Sequence, residues 1–314
     1  MPHPPARPLV HPDARLPGPP HGHGHAHAHG TDDRHPHGAA DAPLAAMLDL
    51  DARILHRHQL ELTTWIRRLA RDTAGRVVVD LGAGTGTGTV ALARRFDAAE
   101  VIAVDASAPM LDRVAERAVV DGLAGRIRTV RADLDAGWPA LPPADLVWAS
   151  LMLHEVADPA RLLGRVRDGL APGGILAVVE MDGPPRFLPD ELDPALGRPG
   201  LADRLDDAVT HGGTGGPSHP DWAPWLEAAG LVDVETRVFP VDPDPADPVA
   251  AAATLPYARA WLSRVRDRSA DRLDADDRAA LDALLDPDGP HALERIPDLR
   301  LRGTRTAYVG RRPR

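Results

Sequence analysis

Val77-Val78-Val79-Asp80-Leu81-Gly82-Ala83-Gly84-Thr85-Gly86 is the stretch on which the fold turns. Three β-branched residues in a row predict a strand buried on both faces. Asp80 closes that strand, glycines at every second position open a tight turn, and Val90-Ala91-Leu92-Ala93-Arg94-Arg95 continues as a helix. Strand, glycine turn and helix form the first unit of a nucleotide-binding α/β sheet. A Cβ at the glycine positions would hold a ligand away from the backbone. The dinucleotide fingerprint asks for glycines at relative positions 1, 3 and 6. Gly82 and Gly84 meet the first two, but Thr87 stands at the sixth, with Gly86 and Gly88 on either side of it. The spacing is therefore Gly-x-Gly-x-Gly, with an acid two residues before the first glycine.

That pattern resembles motif I of class I S-adenosylmethionine-dependent methyltransferases. The resemblance implies that Asp80 sits near the amino group of the cofactor's methionine and that Gly82, Ala83, Gly84 and Gly86 pass beneath it. A second buried strand, Val101-Ile102-Ala103-Val104-Asp105, ends 19 residues past Gly86. A carboxylate there can accept both ribose hydroxyls as a bidentate pair, a feature shared with dehydrogenases. Ala106-Ser107-Ala108-Pro109-Met110-Leu111 opens the next helix, with Ser107 as N-cap, and the resemblance lays Met110 on the adenine. Ala132, Asp133 and Leu134 follow a third strand from Ile127. They resemble the family's third motif, in which an acid accepts from the adenine amino group. Three strands each ending in an acid at one sheet edge make a rarer arrangement than any single glycine turn.

A fourth strand, Asp145 to Ser150, runs into Leu151-Met152-Leu153-His154-Glu155-Val156. It resembles motif IV, which implies that Ser150, Leu151 and His154 border the transferring methyl. His154 is the candidate general base, with an ordinary pKa near ~6.5; the plainer reading is that it shapes the pocket. Leu170-Ala171-Pro172-Gly173-Gly174-Ile175-Leu176 resembles the turn before the fifth strand of the same superfamily, which dehydrogenases do not usually carry. The expected fold is a Rossmann-like, doubly wound α/β sheet, mostly parallel with an antiparallel last strand, plus N-terminal helices and an inserted helical hairpin.

Outside that core, residues 1–40 are Pro, Gly, Ala and His with few large apolar side chains, and are expected to be disordered. They hold nine of the 15 histidines, a tract able to wrap a divalent metal but without the fixed spacing of a built site. Residues 41–72 form an expected helical cap, with Ile54, His58, Leu62, Trp65, Ile66 and Leu69 on one stripe of a helix over 43–70. His58 reads as a packed histidine, although both His56 and His58 are within reach of a capped site. The core is expected over 73–239. It includes a Pro- and Gly-rich stretch at 183–220 with a helix at 201–209, a helix capped by Ser218 and Asp221, and a strand at 231–236. Trp222 and Trp225 read as helix-to-sheet packing. Residues 240–299 are an insertion with two helices, which read as a hairpin appended to the sheet edge and to which dimerisation, a lid or added stability are all open. Residues 300–314 are the last strand and tail, and the C-terminal arginines read as a solvated edge.

Cysteine is absent, so no disulfide or thiolate site exists, and no metal site is expected in the core. All 36 basic residues are arginine, and the net charge is −10. That balance argues against nucleic acid as the main partner, and no apolar run approaches the ~20 residues of a membrane span. The expectation is a cytoplasmic enzyme that transfers a methyl group from S-adenosylmethionine to an oxygen or nitrogen of a small molecule. The alternatives are an NAD(P)-dependent oxidoreductase and a metal-buffering protein acting through its His-rich tail.

Overall fold

The Val77-Val78-Val79 run sends successive side chains to opposite faces, and both faces need a cover. The computed structural model, which describes residues 37–73, 75–210, 219–269 and 271–314, shows how that is met. Two helices, α1 (His37–Ile54) and α2 (His56–Leu69), precede β1 (Val77–Leu81). Then come α3 (Thr87–Arg95), β2 (Glu100–Asp105), α4 (Ala108–Val120), β3 (Ile127–Arg131), β4 (Ala144–Ser150), α5 (Pro159–Gly169) and β5 (Leu170–Met181). The chain continues through α6 (Leu201–Val209), α7 (Ala223–Ala228), β6 (Val232–Val241), α8 (Pro248–Arg268), α9 (Ala275–Leu285) and β7 (Gly303–Arg311).

The strands form one sheet in the order β3-β2-β1-β4-β5-β7-β6. Strands β1 to β5 pair in parallel, while β7 runs antiparallel to both β5 and β6. Val78, Leu146, Trp148 and Ala177 face one side, packed on α2 and α3 through Leu62, Ile66, Val90 and Leu92. Val79, Val147, Leu176 and Val178 face the other, packed on α5 and α7 through Leu162, Val166, Trp222 and Leu226. Each fully buried aliphatic side chain contributes about 1.5–3 kcal/mol. Trp222 is 1 % exposed and meets Trp225 edge-on at 5.5 Å, so the packing role expected of the pair holds.

Four expectations are corrected. The helix over 43–70 is two helices, broken at Leu55, where the chain leaves helical geometry with ψ of +18°. The break lets α1 lean on α8 while α2 stays against α3 and the sheet. α1 begins at His37, inside the segment expected to be disordered. The C-terminal arginines are not a solvated edge. Arg305 donates to both carboxylate oxygens of Asp51 at 2.8 and 3.1 Å, and Arg311 donates to the carbonyls of Gly173 and Leu69 at 2.7 and 2.8 Å. Finally, the 240–299 excursion does not hang from the sheet edge as an appendage, because α8 packs on α1 and lines a cavity described below. The His-rich tract, the glycine run after Thr210 and the cap expected of Ser218 lie outside the described residues.

Candidate active site

The first three strands stop at one edge of the sheet. Their register sets Leu81 beside Val104 and Asp105 beside Arg131, so Asp80, Asp105 and the Asp133 loop follow one another along a rim. The turn after β1 passes through Gly82, Gly84 and Gly86 at φ of +64°, +52° and +86°, a region that side-chain-bearing residues rarely adopt. Asp105 Oδ2 accepts from Gly84 N at 2.9 Å, and Oδ1 accepts from Ser107 N at 2.8 Å. The two amides fix the plane of the carboxylate, and each oxygen keeps a second lone pair. Two neighbouring hydroxyls require that of an acceptor.

Asp80 lies beneath the turn instead of in the open groove. It is 2 % exposed and its Oδ2 accepts from the Thr89 hydroxyl at 2.6 Å, tying β1 to α3. Burial raises its pKa to about 7, against the Thr89 hydrogen bond and with the help of the nearby Asp105 charge. Ala83 turns its methyl inward against Leu111 and Val114, leaving its backbone to the rim. Met110 is buried, and Ser107 caps α4 by accepting from Met110 N at 3.3 Å. Ala106 and Asp133 are exposed, Ala132 is half-buried and Leu134 is buried. The Asp133 carboxylate is oriented by its own loop, accepting from Asp135 N at 3.0 Å and Ala136 N at 3.4 Å. The glycine turn and the oriented carboxylate fit an adenosyl group.

Two neighbours of the turn were not foreseen. A Cβ on Gly82 would lie 2.8 Å from Met152 Cβ, and one on Gly84 would lie 3.2 Å from Leu48 of α1. α1 is held over the rim by Asp49, which pairs with Arg113 at 3.3 Å and Arg117 at 2.6 Å.

Beyond β4 the chain reverses at Leu151, whose φ of +55° is strained for a side chain of its size. Leu153 N then donates to Glu180 Oε1 at 3.1 Å, and His154 Nδ1 lies 2.8 Å from Glu180 Oε2. Glu180 is 1 % exposed, and Glu155 stands 3.3 Å from His154 Nε2. Glu155 and then Glu180 raise the His154 pKa from 6.5 to about 10, outweighing the burial that opposes them. Near neutral pH the two carboxylates favour the protonated ring. A cavity of about 880 Å³ opens beside it, walled in part by Leu44 and Met47 of α1, Leu151, and Trp261, Arg264 and Arg268 of α8.

Glu180 had the signal that exposed Asp80 and Asp105: an acid closing a buried apolar strand. Arg264 and Arg268 had none, because arginine is everywhere in this composition. His58 is the packed histidine expected, edge-on to Phe239 at 5.9 Å. Burial, then the Arg305 charge, lowers its pKa to about 4. His56 lies 3.3 Å from Asp247, and neither histidine is among the residues lining the His154 cavity.

A parallel sheet whose last strand is inserted in reverse, with a glycine turn and a carboxylate at its rim, defines a Rossmann-like fold. Residues 78–174 match the methyltransferase domain family. Trans-aconitate 2-methyltransferase of Azoarcus sp. is 39 % identical over 118 residues, 35 % of this chain and 44 % of that protein. The enzyme of the same name from Acidovorax ebreus is 37 % identical over 150 residues, 47 % of this chain and 52 % of its own. The chain thus spans about half the length of the relatives it matches. Among solved structures, the Haemonchus contortus phosphoethanolamine N-methyltransferase 2 complex with S-adenosyl-L-methionine superposes with a TM-score of 0.43. That match has 16 % identity and covers 79 % of this chain and 51 % of that one. The oxidoreductase alternative has no support, and the tail on which the metal-buffering alternative depends lies outside the described residues.

Proposed function

We propose that the protein transfers a methyl group from S-adenosylmethionine to an oxygen or nitrogen of a small-molecule acceptor. The observation that carries this reading is the Asp105 carboxylate, oriented by two backbone amides at the lip of a glycine turn inside the matched methyltransferase domain. When bound, the cofactor supplies a methyl already made electrophilic by its sulfonium. The protein's part is then to position the reactants and exclude water. Asp105 holds the ribose, and the backbone from Gly82 to Gly86 holds the methionine part, with Asp80 bracing the turn from below. Ala106, Met110, Ala132, Asp133 and Leu134 border the adenine. Ser150 and Leu151 border the reacting methyl, and Leu44, Met47 and Leu48 close the space from above. His154, held between Glu155 and Glu180, shapes the acceptor side.

Thermal shift with S-adenosylhomocysteine against NAD tests this. Stabilisation by S-adenosylhomocysteine alone is the expected result; stabilisation by NAD alone overturns the proposal.

A further inference from the structure

The sheet has two edge strands, β3 and β6, and they are finished differently. The charges of β3 are engaged within the chain: Arg128 donates to Glu100 Oε1 at 2.9 Å, and Arg131 donates to the carbonyl of Ala106 at 3.1 Å. β6 pairs with β7 alone, so its other side carries backbone donors and acceptors with no strand beside them. Glu235, Thr236, Arg237 and Val238 are exposed there, Val238 to 54 %. The Glu235 carboxylate has no hydrogen bond or ion pair among the described residues. Arg237 lies over the Phe239 ring at 4.6 Å and meets no carboxylate among them.

The open edge is bounded at both ends. The register slips between Val232 and Glu235, with Asp233 at φ of +51°, and Pro240 has no N–H to donate. Between them runs Val234-Glu235-Thr236-Arg237-Val238. Its side chains alternate between the two faces of the sheet. Val234, Thr236 and Val238 share the face covered by α7, and Glu235 and Arg237 share the face covered by α2, where Phe239 packs on Trp65.

This segment is its own complement. A second, antiparallel copy related by a two-fold axis through Thr236 sets Thr236 against Thr236, Val234 against Val238, and Glu235 against Arg237 on both sides of the axis. Moving the axis to Glu235 or to Arg237 brings like charges face to face. The axis through Thr236 also lays Pro240 opposite exposed Val232, beyond the slip, so neither irregular end interrupts the ladder. The other edge has no such pattern, because Ile127-Arg128-Thr129-Val130-Arg131 holds two arginines and no acid.

We propose that the outer edge of β6 is the contact surface for a second copy of this chain, paired antiparallel about Thr236 so that the two sheets become one. The contact is the same patch on both copies and uses the edge of each, so association stops at the dimer. It lies across the sheet from β1, β2 and β3, which leaves the rim of Asp80, Asp105 and Asp133 open, and it does not depend on the methyl-transfer reading. A ladder this short makes a small interface, so a reversible dimer in the micromolar range is expected in place of a permanent one.

Sedimentation velocity of the full chain, over a concentration series up to about 0.5 mM, follows the association. A monomer–dimer equilibrium without larger species is expected, with the backbone amides of residues 234–238 exchanging hydrogen more slowly as the dimer forms. Glu235→Arg and Arg237→Glu each set like charges against one another across the axis, and each is expected to weaken the dimer at least about tenfold. The double variant Glu235→Arg, Arg237→Glu sets unlike charges together again and is expected to dimerise within about threefold of the parent. All three variants alter exposed side chains, and thermal unfolding close to the parent's checks that each is folded. The inference is overturned if the chain is a monomer throughout, if association runs on to open oligomers, if either single reversal dimerises as the parent does, or if the double variant dissociates like the singles.

Discussion

Asp105 and Glu180 are both acids that close a buried strand, yet they serve two regions built in different ways. Asp105 is oriented by amides 2 and 21 residues away, Ser107 and Gly84, within two loops that leave neighbouring parallel strands. Glu180 accepts from Leu153 and His154, and the cavity they border is completed by α1 from one end of the chain and by α8, about a hundred residues beyond His154. The rim can be assembled locally once β1 and β2 pair. The cavity exists only when four distant segments have closed on one another. A short motif can therefore encode the rim, whereas the cavity depends on tertiary packing.

α1 joins the two regions, and breaking it gives the largest expected effect. Arg305 and Asp51 form a nearly buried pair, with side chains 6 % and 17 % exposed, to which Tyr257 of α8 also donates at 3.2 Å. Arg305→Ala strands the Asp51 carboxylate, and a loss of about 3 kcal/mol in denaturant unfolding is expected. A loss of a few tenths would mean that α1 is anchored elsewhere. Gly82→Val comes next. Its Cβ meets Met152 at a backbone angle that valine resists, so roughly 1–3 kcal/mol should be lost. Because Met152 belongs to the β4 tip, that substitution should also disturb the His154 environment, visible as a shifted imidazole resonance.

Asp105→Ala separates the regions. It should weaken S-adenosylhomocysteine binding at least about tenfold, or ~1.4 kcal/mol, by calorimetry, and leave the His154 titration alone. Unchanged affinity removes Asp105 from the site. Glu180→Gln acts in the other direction: its amide oxygen still accepts from Leu153 N, but the buried charge is gone. The His154 pKa, followed by NMR, should fall from about 10 toward the ordinary histidine range, with Glu155 holding part of the shift. The sign of the stability effect follows. A folded pKa above the unfolded one adds stability in full below about pH 6.5, and that contribution is lost as pH rises through about 10. Melting temperature should therefore decline more between pH 8 and 10.5 in the parent than in Glu180→Gln, the smallest of these effects because His154 is one-third exposed.

Sequence alone gave correct types for β1 through β5, for α6 and for the final strand, because each has a period or punctuation of its own; the reversal of that last strand was implied by the family resemblance and not by its alternation. Val77 to Val79 must be buried on both faces, Gly173 and Gly174 must turn before Ile175, and Thr304 to Val309 alternate. The same rules overlooked the break at Leu55, where apolar spacing runs on although the partner surface changes from α8 to α3. They took Arg305 and Arg311 for a frayed edge, because nothing local announces Asp51 or the carbonyl of Leu69 as partners.

The sequence by itself determined the parallel sheet and the rim of Asp80, Asp105 and Asp133, since strand periodicity, glycine spacing and strand-ending acids act over a few residues. Only the tertiary structure decided that Asp80 is buried under its turn, that His154 sits between Glu155 and Glu180, and that α8 turns Arg264 and Arg268 into the cavity. Burial and charge pairing are properties of which surfaces meet, and those surfaces come from segments far apart in the chain.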